Sequence, residues 1–578
     1  MRKLAAFSLV VCLAALAPAA DLASVVSEET FLFVEVTDPA GVWADFEQSG
    51  LRDMVRGMPN GELQFRMGLG LIHQLALQQL GIRVGEFFGT YAQRFAIVLP
   101  QVPGGLETLP CLLFDVAGKK EAMEGLLRNT VEPTLRASNP NATFGDDLHQ
   151  DVAIRMLTVG GQDAAYAFLG DILVAGPQAT VRQVIDRRAL RPLSASKTFA
   201  TVREKLAVKK GLVAYMNLQA LLRNFRPQLD ANPELARKLD DLGLATAKWA
   251  AWAMAFDGRG VRDRVYLYAG QRQVGLLRLL TSLSPGASAA AAVLPDACPV
   301  LAALTFKDGN ELWQAMLRYL EEGGQVEHLA RLDEGRQQIM LRMGINFDQD
   351  FVGALGGEIF LAANPDTITE FAAKGKLPGR SDFPYIIGLR IADRPAMQAT
   401  VHRAIGSQPV VGQGGDRKVE KHRNTEISVL TIPGTEARPA YAFVGDYLLV
   451  AKSAALVRRC IDAAAGEKPL SALRQYQVFP KKMPATYNAM VYADVETILV
   501  AVLTAGKGVP EQPPIPNDVA IARQLRRTYA VLAAEPDGIL LETYTRPGLA
   551  GILAAVFTSQ TVQTTPVAAE PQVPRSDF

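Results

Sequence analysis

The chain has 578 residues, of which 49% are hydrophobic and 21% charged, with 60 basic and 59 acidic side chains. This balance leaves no electrostatic footprint for nucleic acid or for anionic lipid, and the composition is that of an ordered globular protein rather than a disordered one. A chain of this length exceeds what one hydrophobic core normally organises, so two or more domains are expected.

The first twenty residues have the pattern of a secretory signal peptide. Arg2 and Lys3 form a short basic region, Leu4 to Leu16 form an apolar run, and Ala17-Pro18-Ala19 offers a small-x-small cleavage site. The run is shorter than the roughly 20 residues that a membrane span needs. We therefore predict a signal peptide at residues 1–20, a periplasmic or secreted mature protein, and no integral membrane span in the mature chain.

Strand and helix patterns alternate after the signal. "FLFVEV", "RFAIVLP" and "CLLFDV" are typical of strands, whereas "GVWADFEQSGLRDMV" and "GKKEAMEGLLRNTV" are typical of amphipathic helices. A cluster of short strands follows, "VAIRMLTV", "AAYAFLG" and "ILVAG", and then another helix. Gly170-Asp171 and Asp257-Gly258 are tight-turn signals of antiparallel hairpins. Hairpins with interspersed helices predict an α+β fold, with the helices packed on one face of the sheet.

The second half of the chain repeats the phrases of the first half in the same order. "YAFLGDILVAGPQATVRQVID" at residues 166–186 is echoed by "YAFVGDYLLVAKSAALVRRCID" at residues 441–462. Further echoes pair Trp43 with Trp313, Pro110 with Pro384, Pro192 with Pro469, Tyr215 with Tyr492, and Asp257 with Asp537, at offsets that rise from 270 to 280 residues. A period this long predicts duplicated domains rather than a solenoid.

We therefore predict two tandem homologous lobes, each a mostly antiparallel sheet with packed helices. Lobe one covers residues 21–283 and lobe two covers residues 299–559, with a small-residue linker at 284–298 between them. A Thr/Pro-rich tail at residues 560–578 is expected to be disordered.

The repeated phrase is predicted to be a strand, a Gly-Asp turn, a second strand and a helix. Arg182 and Asp186, like Arg458 and Asp462, are four residues apart on this helix. We expect each to be a surface pair within the helix, worth about 0.3–0.5 kcal/mol. The alternative is that these pairs form a recognition site.

Sequence motifs for catalysis or metal binding are sparse. The five histidines have no zinc-site spacing, and none has a clear counterpart in the repeat. The best local group of metal ligands is "GDDLHQD", with Asp146, Asp147, His149 and Asp151, which would suit calcium or a transition metal. The favoured alternative is a solvated hairpin turn. No catalytic residue and no cofactor is predicted.

Three cysteines remain after the signal, Cys111, Cys298 and Cys460. They are too few for a disulfide framework, although one pair is compatible with an oxidising compartment. Cys111 lies in a strand pattern and Cys460 on an apolar helical stripe, so both are predicted to be small core residues.

The mature chain resembles a group of exported bacterial proteins filed as domain of unknown function 3352. The likeness rests on the signal peptide, the doubled lobe, the "GD" hairpin phrases and the "DG" strand-turn phrases quoted above. This resemblance implies no known activity and carries no catalytic residue across.

Three functions stay open at this point. The first is an exported, non-catalytic binding or scaffold protein of the cell envelope, with an unknown envelope protein as its partner. The second is a carrier of a lipid or small apolar ligand in a cleft between the lobes. The third is a hydrolase whose site is assembled in space and is not visible in the sequence.

Overall fold

The computed structural model describes residues 20–57, 84–101, 110–159, 162–206, 208–363, 385–406, 417–432, 438–498 and 527–549. The predicted signal peptide up to residue 19 and the predicted tail at 560–578 lie outside the described residues. Within these ranges no helix combines the length and the apolar character that a membrane crossing requires.

The strands are β1 Leu32–Thr37, β2 Phe95–Leu99, β3 Cys111–Asp115, β4 Thr143–His149, β5 Val152–Val159, β6 Gln162–Leu169, β7 Ile172–Pro177, β8 Gly211–Asn217, β9 Trp249–Asp257, β10 Gly260–Tyr268, β11 Val300–Thr305, β12 Leu355–Ala363, β13 Tyr385–Ile391, β14 Arg417–His422, β15 Thr425–Leu430, β16 Ala440–Val444, β17 Tyr447–Ala451, β18 Ala489–Asp494, β19 Arg527–Glu535 and β20 Gly538–Thr545.

The α-helices are α1 Pro39–Glu47, α2 Gly50–Gly57, α3 Val84–Thr90, α4 Lys120–Leu126, α5 Glu132–Ser138, α6 Gln178–Arg187, α7 Lys197–Lys205, α8 Leu218–Asn224, α9 Arg226–Ala231, α10 Pro233–Leu242, α11 Gly275–Thr281, α12 Gly309–Glu322, α13 Val326–Met343, α14 Arg394–Gly406, α15 Ala454–Ala464 and α16 Phe479–Lys482. A π-helical segment, Leu127–Val131, joins α4 to α5.

All of these strands belong to one antiparallel sheet. Their hydrogen-bonded neighbours give the order β4-β5-β6-β7-β3-β2-β1-β8-β9-β10-β20-β19-β18-β11-β12-β13-β17-β16-β15-β14. Strands β1–β10 lie on one side of the sheet and β11–β20 on the other, and β10 pairs with β20 from Val261 opposite Thr545 to Tyr268 opposite Gly538. An α+β fold built on a large antiparallel sheet is confirmed.

Helices cover both faces of this sheet, so the prediction of helices on one face was wrong. On one face, α6 and α7 pack against β-strand residues that include Ala165 and Ala167 of β6. On the other face, α4 packs near Tyr166 of the same strand. Successive side chains of a strand point to opposite faces, and β6 is apolar at both sets of positions. Both faces of β6 therefore have to be covered.

The repeated phrase folds as predicted, into a hairpin followed by a helix. Gly170 and Gly445 have φ angles of 62° and 54°, a left-handed conformation that glycine adopts without a Cβ clash. Pro177 is the N-cap residue of α6, whereas the Ser453 hydroxyl caps α15 by accepting from the amide of Leu456. Cys460 is buried on the inner face of α15, at the place of a valine in α6.

The tight packing of β12 against β13 gives a test of the fold. Gly388 lies opposite Phe360 in the strand pairing, and a Cβ atom at position 388 would clash with the buried Phe360 ring. We expect Gly388→Ala to lower the free energy of unfolding by about 1–3 kcal/mol in urea titrations.

Gly335 provides the matched control because a Cβ atom there meets open space inside α13. Gly335→Ala should raise stability by about 0.5–1 kcal/mol, since alanine is the better helix former. Equal effects of the two substitutions would contradict the packing of β12 on β13.

Candidate functional site

The arginine and aspartate of the repeated helix bind the neighbouring hairpin rather than each other. In α6, Arg182 donates to Asp147 at 2.7 Å, and Asp186 lies 2.6 Å from Nε2 of His149. Both partners belong to β4. The prediction of a surface pair within the helix was therefore wrong, and the two side chains instead form a clamp that ties α6 to the β4–β5 hairpin.

The second half of the chain contains the same clamp. Arg458 of α15 pairs with Glu420 of β14, and Asp462 lies 2.8 Å from Nε2 of His422. His149 and His422 both end the first strand of their hairpin, opposite Val152 and Thr425 respectively. The expectation that no histidine has a counterpart in the repeat was wrong.

The charged neighbours of the clamp tune its carboxylates. A hydrogen bond from His422, followed by one from Arg423, lowers the pKa of Asp462 below its ordinary value. Hydrogen bonds from Lys418 and Arg458 lower the pKa of Glu420 in the same way. The charged forms of both side chains therefore belong to the folded state.

A His–Asp pair is two members of a nucleophilic triad, in which the carboxylate orients the base. The remaining contacts of these aspartates come from Gln150, at 2.8 Å from Asp186, and from Arg423, at 2.8 Å from Asp462. Among the described residues, neither histidine contacts a serine, threonine or cysteine side chain. The geometry here serves to hold a hairpin on a helix.

The candidate metal ligands Asp146, Asp147, His149 and Asp151 do not converge. Asp146 and Asp147 are neighbours on β4 and therefore point to opposite faces, the first to Arg155 at 3.0 Å and the second to Arg182. His149 faces Asp186, and Asp151 lies in the following turn with a φ angle of 62°. The described part of the chain contains no group of three or more His, Cys, Asp or Glu residues placed to hold a metal ion.

The three cysteines are free and buried. Burial raises the pKa of Cys111 and of Cys298 to about 12, and it also raises the pKa of Cys460. Cys111 and Cys460 occupy core positions as predicted, and their thiols stay protonated and unreactive at neutral pH.

Sequence reasoning missed a set of buried carboxylates. Glu35 of β1 binds Arg94 at 2.9 Å, and Arg94 also binds Asp115 at 3.2 Å. Burial raises the pKa of Glu35 above its ordinary value, and the Arg94 charge opposes that shift. Glu358 accepts hydrogen bonds from Tyr447 at 2.5 Å and from the amide of Ala289 at 3.0 Å. The only sequence signal was an acidic residue inside an apolar strand pattern, as in "FLFVEV".

The most exposed apolar surface lies on a set of helices that we call the helical layer, defined as residues 218–242, 274–281 and 309–343. Its helices α10, α11, α12 and α13 pack on each other in chain order. Within the described part of the chain sixteen large apolar side chains are exposed, and nine of them belong to this layer. The nine are Phe225, Leu235, Leu242, Val274, Leu276, Met316, Val326, Met340 and Leu341.

A groove lies within the helical layer, between α8, α9 and α10. Its volume is about 510 Å³. It is lined by Leu222, Arg223, Arg226, Leu229, Asp230, Ala236, Leu239, Asp240 and Ala245. At its rim Arg226 pairs with Asp230 at 2.9 Å. The groove is therefore apolar inside and carries equal numbers of acidic and basic groups at its edge.

These features define an α+β protein built on one large antiparallel sheet, with an apolar helical layer as its most exposed surface. Residues 264–578 match the family described as "Protein of unknown function (DUF3352)". The chain belongs to this family, as the repeated phrases predicted. The match begins in β10 and extends over all the strands that follow. No curated protein and no solved structure matches the chain.

The clamp around His422 gives a prediction with a defined pH dependence. We expect Asp462→Asn to speed amide exchange in β14 and β15 by about two- to fivefold at neutral pH, because the pair is partly exposed and modest in strength. The folded-state pKa of Asp462 is lowered, so its contribution is complete above the ordinary aspartate pKa and disappears as pH falls through the folded-state pKa.

Hydrogen exchange measured from pH 7 downwards checks this. Asp446→Asn, in the exposed turn between β16 and β17, is the matched control and should leave β14 and β15 unchanged. An effect of Asp462→Asn that stays constant into the acid range would contradict the clamp.

Proposed function

We propose that the protein is an exported, non-catalytic binding or scaffold protein of the bacterial cell envelope, and that its partner docks on the helical layer. The observation that carries this proposal is the clustering of exposed apolar side chains on that layer. Leu341 and Val326 of α13 are 85% and 72% exposed. Contiguous exposed apolar surface is unfavourable in water and is typical of interaction sites.

The charges of the helical layer support a protein partner. Arg226 pairs with Asp230, Lys238 with Glu234, and Arg331 with Glu327, each pair four residues apart on one helix. Because these charges satisfy each other, the layer offers apolar contacts within a polar surround, which is the anatomy of a protein–protein interface. It offers no basic patch for nucleic acid.

We also propose that the chain is a tandem duplication of two lobes, at residues 21–283 and 299–559. The strand order supports this, because β4-β5-β6-β7-β3-β2-β1-β8-β9-β10 has the same connectivity as β14-β15-β16-β17-β13-β12-β11-β18-β19-β20. The two clamps, at His149 and His422, occur at corresponding places in that order.

The lobes meet through β10 and β20, which are hydrogen bonded along their length. Among the described residues this pairing occupies the position where a carrier was expected to have its cleft. A carrier role therefore depends on the groove between α8, α9 and α10. The hydrolase alternative stays a prediction, and no contact among the described residues supports it.

Crosslinking in the native host tests the docking surface. We expect the wild-type chain to crosslink to one specific envelope protein, and we expect the double substitution Met340→Glu and Leu341→Glu to reduce that crosslink about tenfold or more. Charges at these exposed positions would interrupt the apolar contact without disturbing a core.

Leu148→Glu and Leu190→Glu are matched controls, because both leucines are exposed and lie outside the helical layer. They should leave the crosslink intact. The absence of a specific partner for the wild-type chain would contradict the proposed function. Equal loss in the control variants would contradict the location of the docking surface.

A further inference from the structure

We propose that the groove between α8, α9 and α10 binds a zwitterionic single-chain phospholipid, with the acyl chain inside the groove and the headgroup between Arg223 and Asp240. This site is separate from the docking residues on α13 and takes a small amphiphile rather than a protein. It goes beyond the proposed scaffold role and does not depend on it.

The interior of the groove suits an acyl chain. Leu222 of α8, Leu229 of α9 and Leu239 of α10 contribute apolar walls, and Ala236 leaves room between them. A volume of about 510 Å³ falls within the 300–1,000 Å³ range of small-molecule sites, which are mainly apolar with a few polar groups.

The helices that form the groove gain little from packing in the unliganded chain. Helices α8, α9 and α10 have 7, 6 and 10 residues, and none of their side chains is buried. Helices of this length are marginal in water unless tertiary contacts cover their apolar face. An acyl chain lying against the three leucines would supply that cover.

The rim charges select the headgroup. Arg226 and Asp230 neutralise each other at 2.9 Å. Nε of Arg223 donates to the carbonyl of Gln219 at 3.3 Å, and neither Arg223 nor Asp240 pairs with an opposite charge among the described residues. The terminal nitrogens of Arg223 are therefore available to a phosphate, and the Asp240 carboxylate is available to an ammonium group. A purely anionic headgroup would meet Asp240 and Asp230 as well as the arginines.

Binding of lysophosphatidylcholine below its micelle concentration tests the site in the full mature chain. We expect saturable binding, measured by calorimetry, and a loss of about tenfold or more in affinity for Ala236→Trp, which fills the groove. Leu235→Trp is the matched control, because Leu235 is exposed on the same helix and does not line the groove. Thermal unfolding of both variants shows that any loss of binding is not a loss of fold.

Headgroup recognition is tested with a second ligand, lysophosphatidic acid, which has the phosphate and no ammonium group. Arg223→Gln should weaken both ligands by about three- to tenfold, the effect of losing one charge-assisted contact. Asp240→Asn should weaken lysophosphatidylcholine and strengthen lysophosphatidic acid, because a repulsive carboxylate is removed.

Failure of lysophosphatidylcholine to bind would overturn the proposal, as would binding that Ala236→Trp leaves unchanged. Equal responses of the two ligands to Asp240→Asn would overturn the headgroup assignment. The crosslink that depends on Met340 and Leu341 is measured separately, so either proposal can fail without the other.

Discussion

The antiparallel pairing of β10 with β20 is the interaction on which the rest of the structure depends. It joins β1–β10 to β11–β20 through eight residue pairs, from Val261 opposite Thr545 to Tyr268 opposite Gly538. Without it each half would expose an unpaired edge strand, a template for aggregation. At the middle of the pairing Arg264 lies opposite Glu542, whose carboxylate also lies 3.0 Å from Nε of Arg262. Like charges at this central pair would oppose the association.

Two crossed ion pairs brace the same boundary. Lys205 of α7 binds Glu535 at 2.7 Å, and Lys482 of α16 binds Asp257 at 2.7 Å. Each bridge runs from a helix of one half to a strand of the other. The helical layer depends on this joint too, because α11 precedes the boundary and α12 follows it, and the two pack on each other. The proposed docking surface is thus a product of both halves.

The sequence carried the elements and the repeat but not the contacts between elements. Hairpins and helices followed from turn glycines and apolar periodicity, which are local signals. The partners of Arg182 and Asp186 did not, because an i,i+4 spacing on a helix says nothing about a strand that packs beside it. His149 and His422 differ in position by 273 residues, whereas Asp186 and Asp462 differ by 276, so a comparison at fixed offset separated them. The exposed leucines of the helical layer have the spacing of a core-facing helix, so the sequence alone did not mark them as surface.

The strand register also corrects the alignment of the repeat. Asp257 pairs with Gly260 and Glu535 pairs with Gly538 across their hairpins. In the proposed duplication Asp257 therefore corresponds to Glu535 rather than to Asp537, and these are the two residues that bind Lys482 and Lys205. Matching the Asp-Gly dipeptides by eye displaced the alignment by two residues. The symmetry of the crossed ion pairs became visible once hydrogen-bonded pairs replaced dipeptides as the reference.

The most direct test of this account is a disulfide across the central pairing. Val265 and Leu541 lie directly opposite each other on β10 and β20, so Val265→Cys with Leu541→Cys should form an intramolecular disulfide under mild oxidation. The native cysteines are buried with raised pKa values and should stay reduced. Val265→Cys with Ala533→Cys is the control, since Ala533 lies one strand further away on β19. Peptide mapping that finds the 265–541 link alone would support the continuous sheet, whereas no link, or a link only between molecules, would contradict it.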